Sequence, residues 1–150
     1  MNDATVPELE PRSGFRQLVD YRLVHWAPGE ARIAVTLTPH HTNRSGAPHG
    51  GVICTIIDSA GGYAGCHCTT PGNVRRTLTL SLSTNFIARA RGSTLIATGR
   101  VRGGGTRTFF ASIEVHDDTG TLIATGEGVY QYRRGSETPE GMPYAPPADA

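Results

Sequence analysis

The alternation of apolar and polar positions predicts strands on both sides of one long apolar stretch. Ile33, Val35 and Leu37 alternate with an arginine, an alanine and a threonine. In residues 77–86, leucines alternate with threonine and serine. A period of two is typical of a strand with one buried face. The pattern predicts a short helix at 15–19 and strands at 21–26, 32–38, 77–86, 93–101, 107–115 and 122–132. Because short turns separate them, we expect an antiparallel sheet whose last four strands form a meander.

Residues 50–67 lack this alternation and predict one long helix. The interior of this helix contains Gly61, Gly62 and Gly65, and each glycine costs roughly 1 kcal/mol relative to alanine. Three such residues in one helix need a packing reason or clear space for a ligand, and they hint at room for a medium-sized or aromatic group. We therefore expect an α+β fold, in which a curved antiparallel sheet wraps a long central helix.

The composition predicts one folded domain with two flexible ends. Residues 13–134 have the length and apolar content of a single domain. Residues 1–12 combine prolines with acidic residues, and residues 135–150 are rich in proline. Such segments bury little apolar surface, so we expect a flexible N-terminus at 1–12 and a loose tail at 135–150.

The net charge and the cysteine content indicate which binding partners and which cellular compartment to expect. The formal net charge is +1, which gives no electrostatic reason to expect nucleic acid or a membrane as partner. Three cysteines argue against a disulfide framework and favour reduced thiols in a cytoplasmic protein, and no apolar run is long enough to cross a membrane. The run Cys66-His67-Cys68 is too tight for a usual zinc half-site and has no second pair, so we expect no metal.

The most informative stretch, residues 43–58, joins a polar loop to the start of the predicted helix. Gly50 and Gly51 leave backbone N–H groups bare at the helix entry, where an anion can bind. Asp58 is a lone carboxylate in an apolar helical run, which is costly to bury without a purpose. The two features together predict an oxyanion site and a catalytic acid. The alternatives are that the glycines form only a tight turn and that Asp58 belongs to an interface salt bridge.

The string from His40 to Gly51, with Asp58 eight residues after Gly50, resembles the hotdog-fold acyl-CoA thioesterases. It is most similar to their phenylacetate-degradation (PaaI-type) branch, which carries the pattern H-x-N-x-x-G-x-x-H-G-G…D. The resemblance covers residues 15–132. It implies a hotdog fold and hydrolysis of an acyl-CoA to a free acid and coenzyme A. It also implies no metal or bound redox cofactor, since coenzyme A enters only as part of the substrate.

The resemblance also assigns roles to individual residues. It implies that Gly50 polarises the thioester carbonyl through its N–H, that Asp58 is the nucleophile or general base, and that Asn43 positions water or the carbonyl. It implies that Thr79 assists near the acid, because relatives carry Ser or Thr there. The substrate-binding residues that it implies are His49, Gly51, Phe86, Arg89, Arg91, Arg102, Gly104, Thr106 and Arg107, with the arginines pairing with phosphates. Structural interpretations remain open for Asn43 and His49 as braces of the loop, and for Thr79 as an ordinary strand residue.

The spacing of Gly50 and Asp58 has a consequence for assembly. Eight residues of helix separate them by about 12 Å along the axis. An oxyanion donor and an attacking carboxylate must both come within roughly 3 Å of one reacting group. We therefore predict that the two residues of one site come from different subunits, with a homodimer as the minimal active unit. The resemblance further implies a homotetramer.

Two other functions stay open at this point. One is a non-catalytic hotdog module that binds acyl-CoA, and the other is a hotdog enoyl-CoA hydratase or dehydratase. Asp20 and His25 match the bare spacing of the hydratase acid and histidine, but they precede the helix and lack the surrounding motif. The sequence leaves undetermined the acyl group, the carrier (coenzyme A or an acyl carrier protein) and the choice between the two roles of Asp58.

Overall fold

A computed structural model describes residue 8 and residues 10–146 of the chain. Most of the N-terminal segment 1–12, predicted to be flexible, lies outside the described residues, as do residues 147–150. The elements are α1 (Gly14–Val19), β1 (Tyr21–Ala27), β2 (Glu30–Thr36), α2 (Gly50–Gly65), β3 (Asn73–Val74), β4 (Thr77–Phe86), β5 (Thr94–Gly104), β6 (Thr108–Asp117), β7 (Leu122–Tyr132) and β8 (Met142–Pro143).

Six strands form one antiparallel sheet in the order β1-β2-β5-β6-β7-β4, and α2 packs against it. The alternating inward residues of β2, β5, β6 and β7 meet the isoleucines of α2 in one core. The predicted architecture of a long helix against an antiparallel sheet is therefore confirmed. β4 and β7 have their predicted bounds, whereas β5 and β6 continue three and two residues beyond their predicted ends.

The predicted four-strand meander is wrong for β4. Hairpins join β5, β6 and β7 as neighbours, but β4 pairs with β7 and β5 pairs with β2. The connection 87–93 therefore runs from an edge strand to the middle of the sheet. A turn motif in the sequence shows where one strand ends, but it does not show which strands become neighbours in the sheet.

The bounds of α2 follow from its capping residues. His49 caps the N-terminus, because its Nδ1 accepts the Gly51 N–H at 2.9 Å. The helix ends at Gly65, two residues before the predicted end, where the Cys66 N–H turns back to the Tyr63 carbonyl at 3.0 Å. Within the described residues, no helix combines the length and the apolar character that a membrane crossing requires.

Two of the three helix glycines are explained by packing. A Cβ on Gly61 would lie 2.0 Å from the Tyr130 hydroxyl, and one on Gly65 would lie 2.2 Å from the Phe109 ring. Phe109 and Tyr130 stack at 5.1 Å between ring centroids, and both rings are buried. The room that the sequence hinted at is thus filled by core aromatic rings at these two positions.

The C-terminal segment differs from the loose tail that its composition predicts. Ser136 is fully buried, and its Oγ accepts the Arg76 N–H at 2.9 Å. The Arg75 guanidinium donates to the Ser136 carbonyl at 3.0 Å, and β8 pairs with β3. Hydrogen bonds to residues 68–76, rather than apolar burial, hold residues 135–146 against the domain.

Candidate active site

Asp58 and Thr79 form a hydrogen-bonded pair between α2 and β4. The Thr79 hydroxyl donates to Asp58 Oδ1 at 2.7 Å, in a hydrogen bond exposed to solvent, although Asp58 as a whole is half-buried. The Tyr130 hydroxyl donates to the Asp58 backbone carbonyl at 3.3 Å. Burial, with a smaller contribution from the Asp58 charge, raises the pKa of Tyr130, so this phenol keeps its proton. The pair therefore sits on a rigid, hydrogen-bonded support.

The Asp58–Thr79 pair opens onto a cleft of about 790 Å³. Gly62 and Thr77 continue the two walls beyond the pair, along the C-terminal half of α2 and the start of β4. The far end holds two ion pairs. Arg16 binds Glu8 at 2.6 Å next to the Tyr63 hydroxyl, and Arg76 binds Glu10 through Nε at 2.8 Å. The cleft thus runs from the Asp58 carboxylate, past the helix surface at Gly62, to the charged side chains of the two ion pairs.

The loop before α2 is anchored by a buried histidine. The His41 ring contacts the Val19 carbonyl through Nε2 at 2.8 Å, and its Nδ1 accepts the Thr38 N–H at 3.0 Å. The His49 N–H donates to the His41 carbonyl at 2.7 Å. His41 thus supports the loop that carries Asn43 and Gly50.

Asn43 braces this loop through its side-chain oxygen. Its Oδ1 accepts the N–H and the hydroxyl of Ser45, at 2.9 and 2.7 Å, and the Ala47 N–H at 3.2 Å. The side-chain amide nitrogen has no acceptor among the described residues. Any role of Asn43 toward a ligand would therefore use this nitrogen as a donor.

Gly50 supplies the one first-turn N–H of α2 that has no acceptor in the described part of the chain. The Gly51 N–H is taken by the His49 ring, and those of Val52 and Ile53 point to the His49 carbonyl at 3.0 and 3.4 Å. The Phe86 ring covers Gly50, since a Cβ there would lie 3.2 Å from it. His49 and Gly51 thus satisfy each other, and the Gly50 N–H remains available to an anion at the positive end of the helix.

The motif has two halves, the helix entry with Asn43 and Gly50 and the acid Asp58 with its partner Thr79. These halves lie in different cavities of one chain. Gly50, Asn43 and His49 line a second cavity of about 740 Å³, whereas Asp58 and Thr79 line the first cleft. The structure therefore brings together Asp58 with Thr79, and Gly50 with Asn43. It does not bring either pair to the other within one chain.

The predicted phosphate-binding arginines also divide into two groups. Arg89 donates to the Ser45 carbonyl at 2.9 Å, beside the Gly50 cavity, and Arg91 lies in the connection that follows β4. Arg102, Gly104, Thr106 and Arg107 belong to the β5–β6 hairpin, and Arg102 Nε donates to the Ser112 hydroxyl at 2.5 Å. The groups lie at opposite ends of β5, roughly 33 Å apart by strand rise.

Comparison with known proteins places this geometry in a family. A family model described as the thioesterase superfamily matches residues 45–124, which include Gly50, Asp58 and Thr79. The chain belongs to the thioesterase superfamily. The predictions of a hotdog-fold thioesterase and of a thioester hydrolase are therefore confirmed at the level of the family.

Individual relatives agree with this assignment. Mouse acyl-coenzyme A thioesterase 13 is 29% identical over 113 residues, which cover 74% of this chain and 79% of that protein. A conserved protein of Pseudomonas aeruginosa, of known structure, is 26% identical, with a TM-score of 0.71 and coverage of 81% and 94%. The Escherichia coli PaaI protein from the phenylacetic acid degradation operon shares the fold, with 20% identity, a TM-score of 0.72 and coverage of 83% and 87%.

Several residues around this candidate site could not be found from the sequence. Tyr130 reaches Asp58 from 72 residues away, and Tyr63 bonds to Glu8 from 55 residues away. Only the capping histidine, next to the glycine pair, gave a local signal. No group of three His, Cys, Asp or Glu side chains is arranged for a metal ion in the described residues, including those around Cys66.

Proposed function

We propose that the protein hydrolyses an acyl-CoA thioester to a free acid and coenzyme A, at a site shared by two subunits. The observation that carries this proposal is the Asp58–Thr79 pair at the mouth of an open cleft. In a thioesterase, a positioned carboxylate of this kind can attack the carbonyl or activate water. The three cysteines are free, in keeping with the cytoplasm, where we expect the enzyme to act.

The chemistry assigns one task to each half of the motif. Hydrolysis places negative charge on the carbonyl oxygen, and the unpaired Gly50 N–H at the start of α2 would stabilise that charge. The Asn43 amide nitrogen would donate beside it. Asp58 would form a mixed anhydride or activate water, while the Thr79 hydroxyl holds its carboxylate in place. Single-turnover hydrolysis in labelled water distinguishes the two routes, because label enters Asp58 only if it is the nucleophile.

The exposed edge of β4 supports the proposed dimer. No strand pairs with its outer edge in the part of the chain that the structure describes, and Leu78, Leu80 and Phe86 are 47%, 56% and 58% exposed. An uncovered apolar edge strand is a ready template for pairing with another chain. Two copies of β4 that paired antiparallel would cover both edges and join the sheets.

Such pairing would also complete the site. β4 runs antiparallel to α2, so Thr79 lies beside Asp58 while Phe86 lies over Gly50. A two-fold axis near Leu82 would set Thr79 opposite Asn85 of the partner subunit, next to the helix entry that carries the partner's Gly50. Each Asp58 would then face an oxyanion donor from the other chain. A homotetramer of such dimers remains a prediction from the family resemblance.

The same pairing of β4 strands would bring the two separate groups of arginines close together. It would bring the segment 86–91 of one chain toward the end of the joined sheet that carries the β5–β6 hairpin of the other. Arg89 and Arg91 of one subunit and Arg102 and Arg107 of its partner would then surround one coenzyme A. Their guanidinium groups suit its phosphates.

The first experiment measures thiol release from a panel of acyl-CoAs with a thiol-reactive dye. The wild type should release coenzyme A from at least one acyl-CoA, and Asp58→Asn should lower kcat at least about a hundredfold. Glu114→Gln, which removes an exposed carboxylate from the sheet, should leave kcat unchanged. Tight binding of acyl-CoA without thiol release by the wild type would contradict the proposal and favour a binding module. Hydration of an enoyl-CoA without thiol release would favour a hydratase.

The second experiment tests the shared site. Asp58→Asn and Asn43→Ala each disable a different half of the motif, so each homodimer should be nearly inactive. Refolding an equal mixture should create heterodimers with one intact site and restore about a quarter of wild-type activity. Restoration should not occur when the two substitutions are on the same chain and are mixed with either single variant. Activity that stays at the level of the parents would contradict a site built from two subunits.

A further inference from the structure

Gly62 differs from Gly61 and Gly65, the other glycines in the C-terminal half of α2. At Gly61 and Gly65 a Cβ would lie within 2.2 Å of a buried aromatic side chain. At Gly62 the nearest atoms to such a Cβ would be Thr77 Oγ1 at 3.6 Å and the Tyr130 ring at 3.8 Å, which is ordinary van der Waals contact. Alanine would therefore fit at position 62 and would gain about 1 kcal/mol of helix propensity. Core packing does not explain the glycine here.

The space above Gly62 belongs to the catalytic cleft. Gly62 follows Asp58 by four residues, about 6 Å or one turn further along the same face of α2. Both residues line the cleft, opposite Thr77 and Thr79 of β4. One turn further on, the Cys66 thiol contacts Thr77 Oγ1 at 3.6 Å and closes the gap between helix and strand. A side chain at position 62 would stand in this channel, immediately beyond the carboxylate.

The channel is bounded on its far side by immobile groups. Trp26 packs edge-on against Tyr63 at 5.4 Å and against His67 at 5.7 Å, and all three line the cleft. The Trp26 indole N–H donates to the Tyr63 carbonyl at 2.8 Å. With these walls fixed, the bare helix surface at Gly62 is the place where the width of the channel depends on a single residue.

We propose that Gly62 is a specificity-determining residue, which keeps the channel open for acyl groups that extend more than one helical turn beyond the Asp58 carboxylate. This inference rests on the proposed function, because it takes Asp58 as the point where the thioester carbonyl reacts. An acetyl group ends before it reaches position 62. A medium-length acyl chain crosses the space above Gly62 and lies between α2 and β4. Glycine at position 62 thus makes the helix less stable than alanine would, but it lets the enzyme accept longer acyl groups.

The test compares Gly62→Ala and Gly62→Leu with the wild type on acetyl-, butanoyl- and octanoyl-CoA. Gly62→Leu should lower kcat/KM for octanoyl-CoA at least about tenfold, mainly through KM, and should leave acetyl-CoA nearly unchanged. Gly62→Ala should show a smaller effect in the same direction. The matched control is Gly14→Leu, since Gly14 lies in α1 and a Cβ there would meet no described residue within 4 Å. It should leave the chain-length profile unaltered.

Three results would overturn the inference. One is an equal effect of Gly62→Leu on all three substrates, or no effect on any of them. Another is a wild type that accepts acetyl-CoA but not the longer acyl groups. The third is dissociation of the dimer by Gly62→Leu in gel filtration, because Gly62 would then make room for the partner subunit rather than for substrate.

Binding separates this inference from the proposed reaction. The Kd values of non-hydrolysable thioether analogues with two-, four- and eight-carbon chains can be measured even if no thioester is hydrolysed. Failure of the wild type to hydrolyse any acyl-CoA would refute the proposed function alone. The inference would stand if Gly62→Leu still weakened the eight-carbon analogue at least about tenfold relative to the two-carbon one, and it would fall if the two Kd values changed in parallel.

Discussion

One chemical change, glycine to alanine, should have opposite effects on stability at neighbouring positions of α2. Gly61 and Gly62 lie inside the helix and Gly65 is its last residue, so each substitution gains helix propensity, up to about 1 kcal/mol. Their surroundings differ, because only Gly62 has room for a Cβ at ordinary contact distances. The sign of each effect is therefore decided by packing and not by the helix itself.

The magnitudes follow from the distances. At Gly62 the full gain of about 1 kcal/mol should remain, and it corresponds to a rise in Tm of about 2–4 °C for a domain of this size. At Gly65, three carbons of the Phe109 ring would lie between 2.2 and 2.5 Å from the new methyl group. Overpacking of this kind costs about 1–3 kcal/mol, and contacts this short place it at the upper end. The net loss should be about 2 kcal/mol, or a fall in Tm of about 4–8 °C.

Thermal unfolding followed by circular dichroism, at one pH and one protein concentration, measures these shifts. Gly61→Ala should behave like Gly65→Ala, because its methyl group would meet the Tyr130 hydroxyl. Phe109→Leu removes the ring with which the new methyl group of Gly65→Ala would clash. The double variant should therefore lose less stability than the sum of the losses in the two single variants. Equal changes in Tm at all three positions, or additive losses in the double variant, would refute the packing argument.

Two further predictions concern Thr79 and Asp117. Thr79→Val removes a hydrogen bond to the Asp58 carboxylate that is worth about 1.5–3 kcal/mol, so kcat should fall roughly ten- to a hundredfold with little change in KM, and Thr79→Ser should retain most activity. An unchanged kcat in Thr79→Val would leave Thr79 as a strand residue only. The Thr119 hydroxyl and three backbone N–H groups hold the pKa of the buried Asp117 well below its usual value. Because folding lowers this pKa, Asp117 stabilises the fold fully above about pH 4 and progressively less as the pH falls below it. Asp117→Asn should therefore lower Tm at neutral pH, with a gap to the wild type that narrows in acid, and a gap independent of pH would contradict this assignment.

Local pattern predicted the elements of this fold well because their signals are local. The position of β4 follows from its alternating leucines, that of β7 from the turns that flank an apolar stretch, and the start of α2 from the glycine pair. The end of β5 was missed because Gly103 and Gly104 have low strand propensity, and the end of β6 was missed because Asp117 is a typical turn residue. Pairing with Phe109 and Phe110 of β6 holds the two glycines in the sheet in spite of their low propensity.

The placement of β4 and of the C-terminal segment depends on interactions that no local pattern encodes. β4 meets β7 through pairs such as Thr79 with Tyr130, more than fifty residues apart, so its position at the edge is set by the whole sheet. The segment 135–146 is rich in proline and poor in apolar residues, yet Ser136 is buried, with its hydroxyl accepting the Arg76 N–H and its carbonyl accepting from the Arg75 guanidinium. Composition measures the capacity for apolar burial and does not detect such bonds.

The motif is contiguous in sequence but divided in space, and β4 is the element that explains this division. One end of the strand holds the Asp58 carboxylate through Thr79, and the other end covers Gly50 through Phe86. A single chain therefore exposes, along one unpaired edge, the carboxylate of one proposed site and the oxyanion donor of another. Since antiparallel pairing exchanges the two ends of a strand, pairing of β4 with its copy is the simplest arrangement that would bring each carboxylate to a donor. In the proposed dimer, the contact that protects the apolar edge would also be the contact that assembles the chemistry.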